Sequence, residues 1–113
     1  MAAPTLYHNP RCSKSRQALA LLEERGIRPK IVEYLKTPPD AAALETLLGQ
    51  LGLKAADILR RKEGAEAGLG PDMPEAALIA GIAAHPAALE RPIFVKDGRA
   101  VVGRPPEKVL ELL

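Results

Sequence analysis

The sequence has 113 residues, of which 47% are hydrophobic and 27% are charged, and its formal net charge is +2. This length and composition are typical of a soluble globular protein with one domain, over residues 1–113. Because the net charge is small and no basic stripe is interleaved with aromatic side chains, we expect no nucleic-acid partner.

The location of the protein is predicted from three features of the sequence. No stretch approaches the roughly 18 consecutive apolar residues of a membrane span, so we expect no membrane partner. Residues 1–5 lack the charged start and apolar core of a signal peptide. Cys12 is the single cysteine, which excludes an internal disulfide. Together these features predict a cytoplasmic protein, because the cytoplasm keeps thiols reduced.

The N-terminal third of the chain has the pattern of a strand, a helix and a second strand. Residues 4–7 are a short apolar run that predicts the first strand. Apolar residues at helical spacing, among them Ala18 and Leu22, predict an amphipathic helix that ends near Gly26. Residues 31–35 predict the second strand. A connection this short implies a right-handed crossover and a parallel pair of strands.

The middle of the chain, roughly residues 40–90, has a helical pattern. Thr37, followed by two prolines and an aspartate, predicts the N-cap of a first helix. Residues 55–63 predict a second, shorter helix, and residues 64–71, rich in glycine and alanine, predict a surface excursion. The last helix of this insert must stop near His85, because a proline follows.

The C-terminal part predicts a β-hairpin and a final helix. Residues 91–96 form a strand entered through Pro92, and the Asp-Gly pair that follows is a strong two-residue turn signal. Residues 99–102 are the returning strand, and residues 103–106 open the last helix. The order βαβ, helical insert, ββα predicts an α/β protein with a thioredoxin-like fold and a four-stranded mixed sheet.

Cys12 lies in the predicted turn from the first strand to the first helix. The unpaired N–H groups of a helix's first turn carry partial positive charge and stabilise a thiolate, the nucleophilic form of cysteine. A lone cysteine is more often a packing residue. Cys12, however, lies in a polar and cationic run, Arg11-Cys12-Ser13-Lys14, with no apolar neighbour. This setting favours a catalytic role.

Two nearby side chains bear on the chemistry of this cysteine. His8 could add positive charge if protonated, although a polar residue at a strand end is its simpler interpretation. Ser15 occupies the position at which a Cys-x-x-Cys dithiol would have its second thiol, and its hydroxyl can donate to the sulfur. Any redox cycle through Cys12 must therefore be completed by a thiol from another molecule.

Three arginines are candidates for an anion site. Arg91 lies at a strand entrance and Arg104 lies between the last strand and the last helix, so both could fall at the sheet end that carries Cys12. Arg60 lies far from them in sequence. Guanidinium groups around a thiolate would bind a tetrahedral oxyanion through paired N–H donors. The two histidines and one cysteine show no metal-ligand spacing, and no glycine-rich phosphate loop is present.

At these residues the chain resembles the glutathione- and glutaredoxin-dependent arsenate reductases, the ArsC family. The resemblance covers nearly the whole chain in order. The matching segments are YHNPRCSKSR at residues 7–16, YLKTPP at 34–39, ILRRKE at 58–63, LI at 78–79, HP at 85–86, RPI at 91–93 and GRPPE at 103–107.

The resemblance implies an oxidoreductase with a thioredoxin-like fold and a helical insert. In the family scheme, a cysteine thiolate attacks arsenate, glutathione adds to the arsenic, and glutaredoxin resolves the adduct to release arsenite. It implies no bound cofactor, glutathione as a co-substrate, glutaredoxin as a partner, and a monomer. The site residues implied are Cys12 as nucleophile, Arg60, Arg91 and Arg104 as oxyanion ligands, His8, Asn9 and Ser15 as residues that tune the thiolate, and Pro92 as a cis-proline.

Two alternative functions remain at this point. An Spx-like regulator shares the fold and binds RNA polymerase, but that branch typically carries a Cys-x-x-Cys motif and a different arginine region. Ser15 and the Leu-Arg-Arg-Lys segment at residues 59–62 argue against it. The other alternative is a general thiol-transfer protein that binds glutathione and has no role with arsenic.

Overall fold

The computed structural model describes residues 3–113. Met1 and Ala2, which belong to the segment tested above for a signal peptide, lie outside the described residues. The strands are β1 (Thr5–His8), β2 (Lys30–Glu33), β3 (Ile93–Lys96) and β4 (Arg99–Val102). The α-helices are α1 (Ser13–Glu24), α2 (Ala41–Leu51), α3 (Arg61–Glu66) and α4 (Glu75–Ala84), and 3-10 helices cover Ala55–Ile58, Pro86–Ala88 and Pro106–Leu112. Across residues 3–113, every helix is too short or too polar to cross a membrane.

The chain folds into two compact units. The first combines the N-terminal part, through Thr37, with Arg91–Leu113, and it contains the whole sheet. The second unit, Pro38–Glu90, contains the helices between β2 and β3. It corresponds to the helical insert expected at roughly residues 40–90. A single domain over residues 1–113 stays a prediction.

The sheet of the first unit has the strand order β2-β1-β3-β4. β1 pairs with β2 in parallel and with β3 antiparallel, and β3 pairs antiparallel with β4. The parallel pair is the product of the short β1-α1-β2 crossover, and the antiparallel pair is the hairpin closed by Asp97-Gly98. The prediction of a thioredoxin-like fold with a four-stranded mixed sheet is confirmed.

The core of the first unit explains why these segments pack together. Its buried cluster combines side chains of β1, α1, β3 and the C-terminal 3-10 helix: Leu6, Ala18, Leu22, Phe94, Val109 and Leu112. Ala18 and Leu22 are four residues apart and therefore lie on one face of α1. Leu6 and His8 are two residues apart in β1 and share one face of the sheet, so both point to the side on which α1 packs.

The start of α2 differs from the prediction. Asp40, and not Thr37, is the N-cap, and its Oδ1 accepts a hydrogen bond of 2.8 Å from the backbone N–H of Ala43. An aspartate directly before the helix satisfies a free N–H group of the first turn. Thr37 instead lies at the end of a turn, where its own N–H donates to the carbonyl oxygen of Glu33.

The helix predicted over residues 55–63 is interrupted. A 3-10 helix ends at Ile58, and α3 begins at Arg61 and runs into the segment predicted as a surface excursion. Between them, Leu59 forms an isolated antiparallel bridge with Leu89. The N–H of Arg60 donates to the carbonyl oxygen of Ala88 at 2.7 Å. A continuous helix would lose this pairing, which involves residues about thirty positions away and has no local sequence signal.

Candidate active site

Cys12 is the N-cap residue of α1 and is partly exposed. Its backbone is extended, with φ of −93° and ψ of 123°. Its N–H donates to the carbonyl oxygen of Asn9 at 3.0 Å, and the N–H of Arg11 donates to the Asn9 side chain, also at 3.0 Å. The N–H of Arg16 donates to the carbonyl oxygen of Cys12. The loop is thus held by hydrogen bonds on both sides of the thiol.

The surroundings of Cys12 favour the thiolate. Burial by itself raises the pKa of the thiol, but the backbone N–H groups of Ser15 and Lys14 and the guanidinium of Arg91 act in the opposite direction. The net result is a pKa below the ordinary value of a cysteine. This is the effect expected of a helix N-terminus and a neighbouring cation.

Two arginines of the first unit meet at the sulfur. Nη2 of Arg104 lies 3.7 Å from Sγ of Cys12, and the Arg91 side chain also forms a hydrogen bond with the thiol. The Arg104 side chain is anchored to the backbone of Arg91, since its Nε donates to the carbonyl oxygen of that residue at 2.8 Å. The peptide bond before Pro92 is cis, as expected, and so is the bond between Arg104 and Pro105. Paired guanidinium donors beside a thiolate can bind a tetrahedral oxyanion.

His8, Asn9 and Ser15 form a buried network beneath the loop. The Asn9 N–H donates to Oγ of Ser15 at 3.1 Å, and this oxygen lies 2.5 Å from Nδ1 of His8. Burial lowers the pKa of His8; the Glu33 carboxylate opposes this shift and Arg16 adds to it. His8 is therefore uncharged near neutral pH, and its contact with Ser15 is a hydrogen bond between neutral groups.

Arg60 lies in the second unit, whereas the other candidate residues belong to the first unit. Its Nε donates to Oε1 of Glu63 at 3.2 Å and its Nη1 donates to Oε1 of Glu90 at 3.0 Å. Burial alone lowers the pKa of Arg60, but the two carboxylates outweigh it and raise that pKa. Among the predicted residues, the structure brings Cys12, Arg91 and Arg104 into contact, and it places Arg60 in a carboxylate pair.

Three acidic residues that are not among the predicted site residues contact those residues or affect their charge. Glu33 is opposite His8 in the parallel pairing of β1 with β2, which only the strand register reveals. Glu63 is three residues from Arg60, a spacing that is a usable helix signal. Glu90 has no local signal. No group of three or more His, Cys, Asp or Glu side chains among residues 3–113 is placed to hold a metal ion.

The family of this chain follows from a match to a protein-family model. The model described as the ArsC family matches residues 7–112. The chain belongs to the ArsC family. The match includes both arginines at the thiol, the thiol itself, and the helical unit with Arg60.

Similar proteins support this membership over nearly the full chain. A protein of Neisseria meningitidis serogroup B named arsenate reductase is 50% identical over 112 residues, which cover 96% of this chain and 96% of that protein. A protein of Escherichia coli K12 named "Uncharacterized protein YfgD" is 48% identical over 112 residues, 96% of this chain and 94% of its own.

A solved structure gives the same result for the fold of this ArsC-family chain. The structure named arsenate reductase from Vibrio cholerae superposes with a TM-score of 0.91 at 46% identity. The superposition covers 98% of this chain and 98% of the other. The mixed sheet and the helices are therefore those of the ArsC family.

Proposed function

We propose that this chain is an arsenate reductase that uses a single catalytic cysteine together with glutathione and glutaredoxin. The observation that carries the proposal is the contact of Arg91 and Arg104 with the Cys12 sulfur at a helix N-terminus. Two guanidinium groups, which can bind an oxyanion, thus contact a thiol that can act as a nucleophile. ArsC-family membership and the names of the similar proteins supply the substrate.

In the binding step, the guanidinium groups of Arg91 and Arg104 donate to arsenate oxygens and hold the arsenic near the sulfur. Arsenate is a tetrahedral anion, and planar guanidinium donors match pairs of its oxygens. We include Arg60 as a third oxyanion ligand because of the family resemblance. The positive charges also offset the repulsion between the thiolate and the anion.

In the chemical step, the Cys12 thiolate attacks the arsenic, so that a sulfur–arsenic bond forms and an oxygen leaves as water after taking up protons. The glutathione thiol displaces a second oxygen, again as water. Glutaredoxin's thiolate then attacks the glutathione sulfur. A disulfide forms between those two partners, and the electron pair of the broken sulfur–arsenic bond reduces arsenic from As(V) to As(III). Water finally displaces Cys12 and releases arsenite.

His8, Asn9 and Ser15 are proposed to keep the thiolate in place. Ser15 is fully buried and its oxygen accepts from the Asn9 N–H, so this residue fixes the first turn of α1 against β1. The backbone N–H of Ser15 in turn lowers the pKa of Cys12. These residues therefore act on the nucleophile through the geometry of the loop.

The external reductants follow from the cysteine count. The chain has one cysteine, so it cannot form an internal disulfide. Two electrons must therefore come from thiols of other molecules, which are abundant in the cytoplasm. We propose glutathione as co-substrate, with no bound cofactor, and a monomer that works in the cytoplasm.

The direct test is arsenite production from arsenate with glutathione and glutaredoxin, for the wild type and for Cys12→Ser. We expect turnover for the wild type and loss to the level of the reaction without enzyme for the variant. Omission of glutaredoxin should stop turnover after the arsenic adduct has formed. Equal rates for wild type and variant would refute the proposal, and turnover without glutaredoxin would refute the identity of the second reductant.

A further inference from the structure

Arg60 is held by two acidic side chains of its own unit. Glu63 contacts Nε at 3.2 Å and Glu90 contacts Nη1 at 3.0 Å. The three side chains, which we call the Arg60 clamp (Glu63, Arg60 and Glu90), are partly buried, with 24% to 26% of each side chain exposed. Ion pairs of this kind are less screened by solvent than those of a fully exposed surface.

The backbone supports the clamp from below. The N–H of Arg60 donates to the carbonyl oxygen of Ala88 at 2.7 Å, and the N–H of Glu90 donates to the carbonyl oxygen of Ile58 at 2.8 Å. Leu59 and Leu89, which are both buried, form the bridge between these two bonds. The backbone pairing therefore holds Arg60 and Glu90 next to each other.

The two ion pairs use some of the N–H donors of the Arg60 guanidinium and not others. A guanidinium has five N–H donors in a rigid plane. Nε–H points to Glu63 and one N–H of Nη1 points to Glu90. Nη2 and the second N–H of Nη1 are the donors that these two ion pairs do not use. Because the plane is rigid, fixing two corners also fixes the direction of the third.

We propose that Glu63 and Glu90 are positioning residues that hold Arg60 so that Nη2 is its donor to the oxyanion. This inference rests on the proposed function, because it assumes that Arg60 binds the oxyanion. A long flexible side chain loses rotational freedom when it binds a ligand. The clamp removes that freedom in advance. It also places two negative charges near a proposed anion ligand, which by charge alone is unfavourable.

The negative charge of the two carboxylates and their positioning of Arg60 have opposite effects on anion affinity, so the direction of the change in affinity tests the proposal. Glu63→Ala and Glu90→Ala each remove a negative charge. If the carboxylates act only by charge, each variant binds sulfate or arsenate more tightly. If they position Arg60, each variant binds these anions about two- to tenfold more weakly. Binding is measured by calorimetry with sulfate and with arsenate at low ionic strength.

Controls separate positioning from other effects. Glu66→Ala removes an exposed acid from the same helix, α3, and we expect anion binding equal to or slightly tighter than that of the wild type. Glu90→Gln keeps an acceptor oxygen and should weaken binding less than Glu90→Ala. In the Arg60→Ala background, Glu90→Ala should cause no further loss. A further loss in that background would show a general structural effect and overturn the proposal.

A second measurement follows the clamp itself. Hydrogen exchange of the Arg60 Nε–H, observed by NMR, should be slower in the wild type than in Glu63→Ala. Unchanged exchange overturns the clamp. Unchanged anion binding in both alanine variants overturns the positioning role but leaves arsenate reduction intact. Anion binding by the wild type without arsenate reduction refutes the proposed function alone, and no anion binding at all refutes both.

Discussion

Nη2 of Arg104 lies 3.7 Å from Sγ of Cys12, although 92 positions of sequence separate the two residues. The contact is supported from behind, because Nε of the same arginine donates to the carbonyl oxygen of Arg91. Arg104 therefore joins the thiol to the second arginine of the site. A change at this residue affects both the sulfur and its neighbour.

The first prediction concerns anion affinity. Arg104→Ala removes a charged donor from the site, and we expect sulfate and arsenate to bind about tenfold or more weakly, since a hydrogen bond to a charged group contributes roughly 1.5–3 kcal/mol. Arg91→Ala should have a similar effect. Calorimetry measures both, and Arg99→Ala in the hairpin, an exposed arginine, is the control for net charge. Unchanged affinity in both variants would exclude these arginines from the anion site.

The second prediction concerns the nucleophile. The pKa of Cys12 lies below the ordinary value, and Arg91 is one of its causes. We expect the rate of Cys12 alkylation by iodoacetamide to rise with pH, and the midpoint of this rise to lie below the reference cysteine pKa of about 8.5. Arg91→Gln should move the midpoint upward. A wild-type midpoint at the reference value would contradict an activated thiolate.

The third prediction concerns His8. Burial lowers its pKa and Glu33 partly opposes that shift, so Glu33→Gln should lower the pKa further. NMR titration of the ring measures this, with His85→Asn to assign the signals and Glu24→Gln as a charge control. Because the folded-state pKa lies below the unfolded value of about 6.5, the contribution of His8 to stability is complete above that pH. It is lost as the pH falls through the folded-state pKa. An upward shift in Glu33→Gln would refute the role of Glu33.

The fourth prediction concerns the packing around the cis-proline. A Cβ atom at Gly103 would lie 2.9 Å from Cγ of Pro92 and 3.0 Å from Cγ1 of Val109. Gly103→Ala should therefore lower the free energy of unfolding by about 1–3 kcal/mol. Gly49→Ala, in the last turn of α2, is the matched control, because a Cβ atom there would meet no atom within 4 Å outside the neighbouring helix backbone. That variant should gain about 0.5–1 kcal/mol. Urea unfolding compares the two, and equal stabilities would contradict the close approach.

The fifth prediction distinguishes the two candidate caps of α2. Asp40→Ala removes the side chain that accepts from the Ala43 N–H and should cost about 1 kcal/mol of the free energy of unfolding. Thr37→Ala should change it by less than about 0.5 kcal/mol, since that side chain is exposed. Urea unfolding again provides the measurement. The reverse order would restore Thr37 as the cap.

The elements that depend on local pattern could be predicted from the sequence. The apolar spacing of Ala18 and Leu22 indicated α1, and the Asp97-Gly98 pair indicated the hairpin, because both signals lie within a few residues of the structure they cause. The break at Leu59 could not be predicted, since it arises from pairing with Leu89. Propensity over residues 55–63 favoured a helix that this distant pairing overrides.

The candidate site divides in the same way. Cys12 could be placed at a helix N-terminus from its neighbours, and Arg104 could be placed at the same end of the sheet once the strand order was inferred. The support from the Arg91 carbonyl oxygen depends on the backbone path around Pro92, and the sequence carries no signal for it. The contact of Arg60 with Glu90 likewise depends on a bridge between segments thirty residues apart, whereas Glu63 lies at a local helix spacing from Arg60.

Ser15 is fully buried, and its oxygen is occupied by the Asn9 N–H and by His8. Ser15 occupies the sequence position of the second cysteine in a Cys-x-x-Cys dithiol, and here that side chain is buried and is not a thiol. With one cysteine the chain has no internal dithiol in which an electron pair could be stored between turnovers. Under the proposed function, each turnover therefore draws directly on the surrounding thiol pool, and the rate should follow the ratio of reduced to oxidised glutathione in the cell.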